Sequence, residues 1–465
     1  MKYNNVFVFI IITFFLSVGY SQINVYFTDP YNNLPSLSSL STIKKPIDFA
    51  LKEFIDSISP QTTMYICIYE VNNTTITTAI DNAVNHGVKI YAIFDKDVST
   101  SVFKSNFEYK KLASGSQIMH NKFVVVKSSK VWTGSYNFTV SATCEQDNFA
   151  LEIFSNQLAE IYEKAFLYMW DHSNNISIST RIAEFNNKQV SLDDGTKITV
   201  YFNPYSQNPQ LKDVLINNWY DFYEEKPKIK NLCFAVAWFT LNDIVNCIKI
   251  LKSKNNFQDV EIFGIVDDDN QNFNVYQELR NYGIPIYFDS RKTTVGEGLM
   301  HHKFCVSDPF TKNAKVICGS ANWSDSALTS GSNKNYENLI VIESQQVAEV
   351  FYKEFLRLYN KAVSQQVSNS LSNEMVEDIL FYPNPAKEKL NIKFKPNFGV
   401  KEIKFMIVSL YGIKIYEKNL EFTAGIENKT EVELPKDISY GLYNAVLRVK
   451  SFETQKDYVR KIVIR

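Results

Sequence analysis

Two histidines in this 465-residue chain stand two positions before a lysine: His120-Asn121-Lys122 and His301-His302-Lys303. Each triplet opens a short apolar run, Phe123-Val124-Val125-Val126 and Phe304-Cys305-Val306. In a strand, side chains at i and i+2 share a face. His120 therefore projects with Lys122, and His301 with Lys303. Each run is followed by a small-residue quartet, Gly134-Ser135-Tyr136-Asn137 and Gly319-Ser320-Ala321-Asn322. No other His-x-Lys triplet or Gly-Ser-x-Asn quartet occurs in the chain. A titratable imidazole, an ammonium, a hydroxyl and a carboxamide form a set suited to an anionic phosphodiester. Histidine can attack or protonate near neutral pH, and the lysine and amide groups can balance charge on phosphoryl oxygens.

These residues resemble the paired HxK(x)4D and GSxN motifs of the phospholipase D superfamily. The resemblance implies that one imidazole attacks phosphorus to form a phosphohistidine. The other protonates the leaving oxygen and then activates water. By the family's precedent His120 is the nucleophile and His301 the acid. Lys122, Lys303, Asn137 and Asn322 would hold the phosphoryl oxygens, with Ser135 and Ser320 assisting. Asp147 and Glu337, each followed by an asparagine, would bond the second ring nitrogen of a catalytic histidine and fix its tautomer. The second motif is completed by Asp308, whereas the first has Lys127 at that position. By position that aspartate belongs to a turn and scaffold, so its loss in the first half costs local stability more than chemistry. No cluster has metal-ligand spacing, and the chemistry requires none, so no metal or cofactor is expected.

The elements that must position these groups repeat. Ile23–Phe27 is echoed by Ile198–Phe202, Met64–Tyr69 by Leu232–Ala237, Val88–Asp95 by Val260–Asp267, and Gln157–Phe166 by Gln346–Phe355. Each half reads strand, helix, strand, loop, strand, hairpin strand, helix. Helices are expected around Ile47–Ile58 and Leu211–Tyr223. Short continuous apolar runs denote strands covered on both faces, so the class is α/β with two similar units. The resemblance adds two facing lobes related by a pseudo-twofold, a monomer with an internal pseudo-dimer. The lobes are placed at residues 22–180 and 181–363, with a polar linker at 364–378.

From residue 379 the pattern changes to short alternating strands with turns between them, which predicts a β-sandwich over 379–465. Tyr382-Pro383-Asn384-Pro385-Ala386, Leu410-Tyr411-Gly412, Tyr440-Gly441-Leu442-Tyr443 and the basic-apolar close Lys461–Arg465 resemble the C-terminal sorting domains of type IX secretion. Residues 1–21, with Lys2 ahead of the apolar Val6–Leu16 core, read as a signal peptide too short to span a bilayer. No later run reaches membrane-spanning length. A secreted or cell-surface protein is expected, with the secretion machinery as partner of the last domain.

Composition constrains the substrate. The apolar fraction of 45% supports more than one core. The formal net charge is −1, and the segment before residue 364 is net acidic. A dedicated nucleic-acid binder is usually basic, so the balance tilts toward a phospholipid head-group phosphodiester. A metal-independent endonuclease using the same chemistry stands as the alternative, and a non-catalytic anion-binding surface module is the third reading. The six cysteines show no CxxC spacing and sit mostly in apolar runs. Cys305 and Cys318 flank one expected hairpin, a spacing that permits a disulfide without requiring one. His86 precedes Gly87 at an expected helix end and fits a cap. His172 follows a helix, and His302 points away from its neighbours' face. Tyr136, Phe138, Trp238 and Trp323 are either a substrate slot or core, and core is the commoner fate.

Overall fold

The computed structural model describes residues 22–28, 46–171, 180–205, 209–253, 260–268, 272–289, 299–369, 375–396, 400–423, 427–451 and 455–465. The expected signal peptide and His172 lie outside the described residues. Two mixed sheets carry the first three-quarters of the chain. The first has the spatial order 23–27, 149–154, 130–134, 122–126, 63–68, 89–95, 108–112. The second runs 197–203, 337–343, 315–319, 303–307, 231–236, 261–267, 286–289, with an added edge strand at 188–191 beside 197–203. The seven common strands follow one order, and in both sheets the His-Lys strand is antiparallel to its neighbours on either side.

Both sheets are apolar on both faces because helices cover them. One core is shared between the lobes. Tyr65, Phe123 and Val125 from the first sheet meet Phe202, Phe304 and Val306 from the second, together with Tyr162 and Phe166 of helix Asn156–Asp171 and Phe351 and Phe355 of helix Gln345–Asn369. The outer faces form separate cores, one around Phe54, Ile80 and Trp132 and the other around Trp219, Phe234 and Trp323. Burial of this extent, at about 25 cal/mol per Å² of apolar surface, fixes where the central strands end, and hence where the polar residues at those ends meet.

Several expectations about elements are corrected. The helix implied by the His86 cap but left out of the repeating pattern is Thr74–Asn85. Its apolar residues Ile76, Ala79, Ile80 and Ala83 repeat at helical spacing beneath a threonine-rich surface, and Asn73 caps it by accepting from the Thr75 N–H. Helix Asn242–Ser253 is its counterpart. Helices Ile47–Asp56 and Leu211–Trp219 stop short of the expected ends. The long helix Gln345–Asn369 and the strand Val376–Tyr382 both run into the stretch read as a linker. Strands Phe149–Phe154 and Glu337–Glu343, passed over in the sequence pattern, are central. Cys305 and Cys318 are both unpaired, since Cys318 stands opposite Phe304 rather than Cys305.

Beyond residue 375 the chain forms a β-sandwich. A three-stranded sheet (376–382, 389–396, 428–433) faces a four-stranded one (414–420, 400–409, 441–451, 455–464) over Leu390, Ile392, Phe405, Leu447 and Ile462. It rests on the second lobe, where Tyr411 packs edge-on against Phe310 at 4.9 Å between ring centres.

Candidate active site

The His-Lys strands end where the two lobes meet. The Met119–His120 segment runs beside Tyr336–Glu337 of the second lobe, and Met300–His301 runs beside Asp147–Asn148 of the first. The His120 N–H donates to Tyr336 O at 3.0 Å and the His301 N–H to Asp147 O at 2.9 Å. Each histidine is thus hung on the opposite lobe by its backbone.

The side chains repeat the crossing. His120 Nδ1 lies 2.8 and 2.9 Å from the two carboxylate oxygens of Glu337, while His301 Nδ1 lies 2.8 Å from Asn148 Oδ1. Both rings are 3% exposed. The Asn148 amide is oriented by its own contacts: Nδ2 donates to Ala142 O, and Oδ1 accepts from Ser135 Oγ at 3.0 Å. With oxygen at Nδ1 in both cases, each ring carries its proton there and leaves Nε2 with a lone pair. Glu337 is also bonded by Ser320 Oγ at 2.5 Å and Asn335 Nδ2 at 3.2 Å. Burial drives its carboxyl upward, but His120, Lys122 and Ser320 outweigh that, and it stays ionised below the ordinary range.

Lys122 Nζ donates to His120 O at 2.7 Å and Lys303 Nζ to His301 O at 2.8 Å. Both lysines are 1% exposed. Burial lowers Lys122 to about 7, and burial together with Lys122 takes Lys303 well below its ordinary value. The imidazoles follow. Burial brings His120 down to about 4 against the opposing pull of Glu337. His301 falls well below its usual value through burial and then through Lys303 and Lys122. Each motif's groups feel those of the other, as a single site requires. Such a site is short of an anion: a bound phosphodiester would restore full charge to both ammonium groups and raise both rings.

Asn137 and Asn322 flank the site, 4% and 7% exposed. Asn137 Nδ2 donates weakly to Glu70 at 3.4 Å, and its buried Oδ1 has no hydrogen-bond partner among the described residues. Asn322 Oδ1 accepts from the Trp238 N–H at 3.4 Å. Tyr69 packs edge-on to His120 with ring centres 5.1 Å apart, and Trp238 to His301 at 6.1 Å.

Three sequence expectations change here, those for Ser135, Ser320 and Asp147. Ser135 and Ser320 do not face a substrate position. They accept the Phe149 and Asn338 N–H groups and donate to Asn148 and Glu337, so they hold the holders. Asp147 is not the counterpart of Glu337; Asn148 is. Gly134 lies opposite Ala150 and Gly319 opposite Leu339, so counting two residues back gives Asn148 and Glu337. The one-residue slip turns Asp147 to the other face, where it meets Arg357 at 2.7 Å. Asp308 sits at the far end of its strand, accepting the Lys230 and Asn231 N–H groups at 2.9 Å each. It closes a turn remote from the histidines, and Lys127 occupies the matching turn exposed, paired with Glu163. Of the aromatics, Tyr136, Phe138 and Trp323 are core, and Trp238 alone of the four is only partly buried. His86 caps its helix, bonding Asn82 O at 2.7 Å. The glycine of each quartet is required by close approach: a Cβ on Gly134 would lie 2.3 Å from Phe149 O, and one on Gly319 2.2 Å from Asn338 O.

Asn148, Tyr69, Glu70 and Arg357 were missed by sequence reasoning. Asn148 becomes legible only once the pairing of Lys130–Gly134 with Phe149–Phe154 is known.

Comparison with known proteins gives the family of the chain. Residues 52–170 and 227–359, more than half of the chain, match the family described as "Cardiolipin synthase, PLD-like domain". Residues 380–465 match "Secretion system C-terminal sorting domain", a module that marks a chain for export to the surface or the medium. A phospholipase D of Rickettsia prowazekii is 29% identical over 185 residues, 34% of this chain and 90% of that protein. A mitochondrial cardiolipin hydrolase of Danio rerio is 24% identical over 123 residues, 25% of this chain and 54% of that one. Among solved structures, phosphatidylserine synthase of Haemophilus influenzae covers 70% of this chain and 89% of its own at 12% identity and a TM-score of 0.47. Nuc of Salmonella typhimurium, a phospholipase D family member, covers 32% and 93% at 21% identity and a TM-score of 0.27. The chain belongs to the phospholipase D-like family of phosphodiester hydrolases, with both motif sets on one polypeptide and a secretion sorting domain behind them.

Proposed function

We propose that this protein is an exported phospholipase D-type enzyme that hydrolyses the head-group phosphodiester of phospholipids through a phosphohistidine on His120. The observation that carries the mechanism is the unequal pairing of the two rings. When Nε2 of a neutral, Nδ1-protonated imidazole attacks phosphorus, the ring becomes a phosphorylated imidazolium. A carboxylate at Nδ1 stabilises that cation; a neutral amide does so far less. Glu337 therefore favours His120 as nucleophile. Asn148 fixes the orientation of His301 without adding negative charge, so its imidazolium remains a good proton donor. Binding of the substrate anion between Lys122 and Lys303 raises His301 and lets it take up the proton it must give. As the P–O bond breaks, His301 Nε2 protonates the leaving alkoxide. The same nitrogen then removes a proton from water, whose oxygen attacks the phosphohistidine and frees His120.

The lipid reading is supported by the walls. Beside His120 the mouth carries Tyr69 and Glu70 and opens into a cavity of about 290 Å³ lined also by Asp95 and Asp97. Carboxylates there repel the flanking phosphates of a polynucleotide, which need a basic track, whereas a lipid presents a single phosphodiester. The test uses the purified full chain with phosphatidylcholine vesicles, ethanol and chelator. Phosphatidylethanol that vanishes in His120→Ala supports the reading. No lipid product from folded protein, together with plasmid nicking under the same conditions, would replace it with the nuclease.

A further inference from the structure

Behind His301, on the opposite face from the substrate, lies a buried ionic cluster that the mechanism above does not use. Asp147, His302 and Glu354 bring their ligand atoms within 4.8 Å of one another. The guanidinium of Arg357 fills the space that a cation would need. Its Nη2 donates to Asp147 Oδ1 at 2.7 Å and Glu354 Oε1 at 2.6 Å, and its Nε to Glu354 Oε2 at 2.8 Å. Glu354 in turn bonds His302 Nε2 at 3.1 Å. Asp147 is wholly buried, and Glu354 is 4% exposed.

The cluster is continuous with two consecutive residues of each lobe, Asp147–Asn148 and His301–His302. On the first, Asp147 O receives the His301 N–H, and Asn148 receives the His301 ring. On the second, His302 continues directly from His301. The His120 half is built otherwise. There the residue matching Asp147 is Tyr336, packed among aromatic and apolar side chains, and the residue matching His302 is Asn121, whose side-chain amide meets the Met169 sulfur at 3.9 Å and no other partner among the described residues. His120 meets two carboxylate oxygens of Glu337, which Ser320 and Asn335 hold, whereas the Asn148 amide, held by Ser135 and Ala142, offers His301 one oxygen. That oxygen stands on a strand end anchored from behind.

We infer that Arg357 is a positioning residue for the general acid. By clamping Asp147 and Glu354 it fixes the Asp147–Asn148 and His301–His302 backbones against each other, and so aims His301 Nε2 at the leaving oxygen. This rests on the phosphohistidine reading. It predicts an effect that depends on the leaving group. Breaking the P–O bond to choline releases an alkoxide that needs a proton, whereas breaking the bond to p-nitrophenol releases a stable phenolate that does not. A general acid contributes about 10²–10⁴-fold, and a misplaced one loses part of that.

The experiment compares rapid-quench bursts of wild type, Arg357→Met and Arg357→Lys on phosphatidylcholine and phosphatidyl-p-nitrophenol, which share the retained phosphatidyl group. The expected result for Arg357→Met is a burst on phosphatidylcholine slowed roughly 10–100-fold, with the nitrophenolate burst within about threefold of wild type. That second burst also shows the variant to be folded. Arg357→Lys is expected to recover part of the loss. An equal fall on both substrates assigns Arg357 a purely structural role and overturns the inference, as does no fall on either. A wild type that forms no phosphoenzyme on His120 overturns the mechanism itself, and the inference with it, an outcome distinct from the other two.

Discussion

Replacing Glu337 by Gln removes one charge and little else. The glutamine Oε1 can still accept from His120 Nδ1, and its volume is nearly the same. At 2.8 Å, and with an effective dielectric of about 20, the attraction between a carboxylate and the imidazolium formed on phosphorylation is roughly 6 kcal/mol. The buried carboxylate gives back part of this in desolvation; the glutamine Oε1 still accepts from Asn335, while its NH2, which cannot accept from Ser320 as the carboxylate did, donates to that hydroxyl instead. A net loss of about 3–4 kcal/mol in the phosphorylation transition state follows, or about 10²–10³-fold in rate. The assay is rapid-quench trapping of phosphoenzyme from substrate labelled in phosphorus. The exchange is expected to slow phosphoenzyme formation on both alkyl and aryl leaving groups, because it acts on the nucleophile. A variant that forms phosphoenzyme within a few-fold of wild type would refute the reasoning. So would label found on His301, which would exchange the roles of the two rings.

Three further outcomes are expected. Asp308→Ala strips the acceptor from two part-buried backbone N–H groups and should lower unfolding free energy by about 1–2 kcal/mol; urea melts would show this, with activity per folded molecule unchanged. Stability should fall on acidification. His120 in the folded chain sits near 4 against an ordinary value near 6.5, so between those limits the unfolded chain binds more protons and stability rises with pH. The span is worth roughly 3 kcal/mol, and His301 adds in the same direction; denaturation midpoints at pH 4.5 and 7 should differ less in His120→Gln than in wild type. Gly134→Ala forces a Cβ against the Phe149 carbonyl and should cost about 2 kcal/mol, seen as a lower melting temperature.

Much of this site could be read from the chain because its chemistry is local in sequence. A histidine and a lysine two apart on a strand are compelled to share a face, so His120 with Lys122 and His301 with Lys303 needed no tertiary information. The repeated apolar runs likewise announced two α/β units. Glu337 was named through the family resemblance, but the partner of His301 could not be found in that way. Which residue of a strand faces His301 depends on the register of Phe149–Phe154 against Lys130–Gly134, and a slip of one residue exchanges Asn148 for Asp147. Asp308 could be read from its position four residues after the lysine: it closes a turn, and the first lobe closes the same turn with Lys127. Arg357 was invisible, since its role depends on a helix packing across from the other lobe.

The exchange of partners between lobes bears on what a single half could become. Two copies of the first lobe, docked on themselves, would present both histidines to asparagine. Two copies of the second would present both to glutamate. Either assembly has identical rings and must break its own symmetry at every turnover, choosing afresh which ring attacks. Under the proposed mechanism, joining unlike halves in one chain makes that choice once, in the covalent structure, and frees each ring to be tuned for one duty alone.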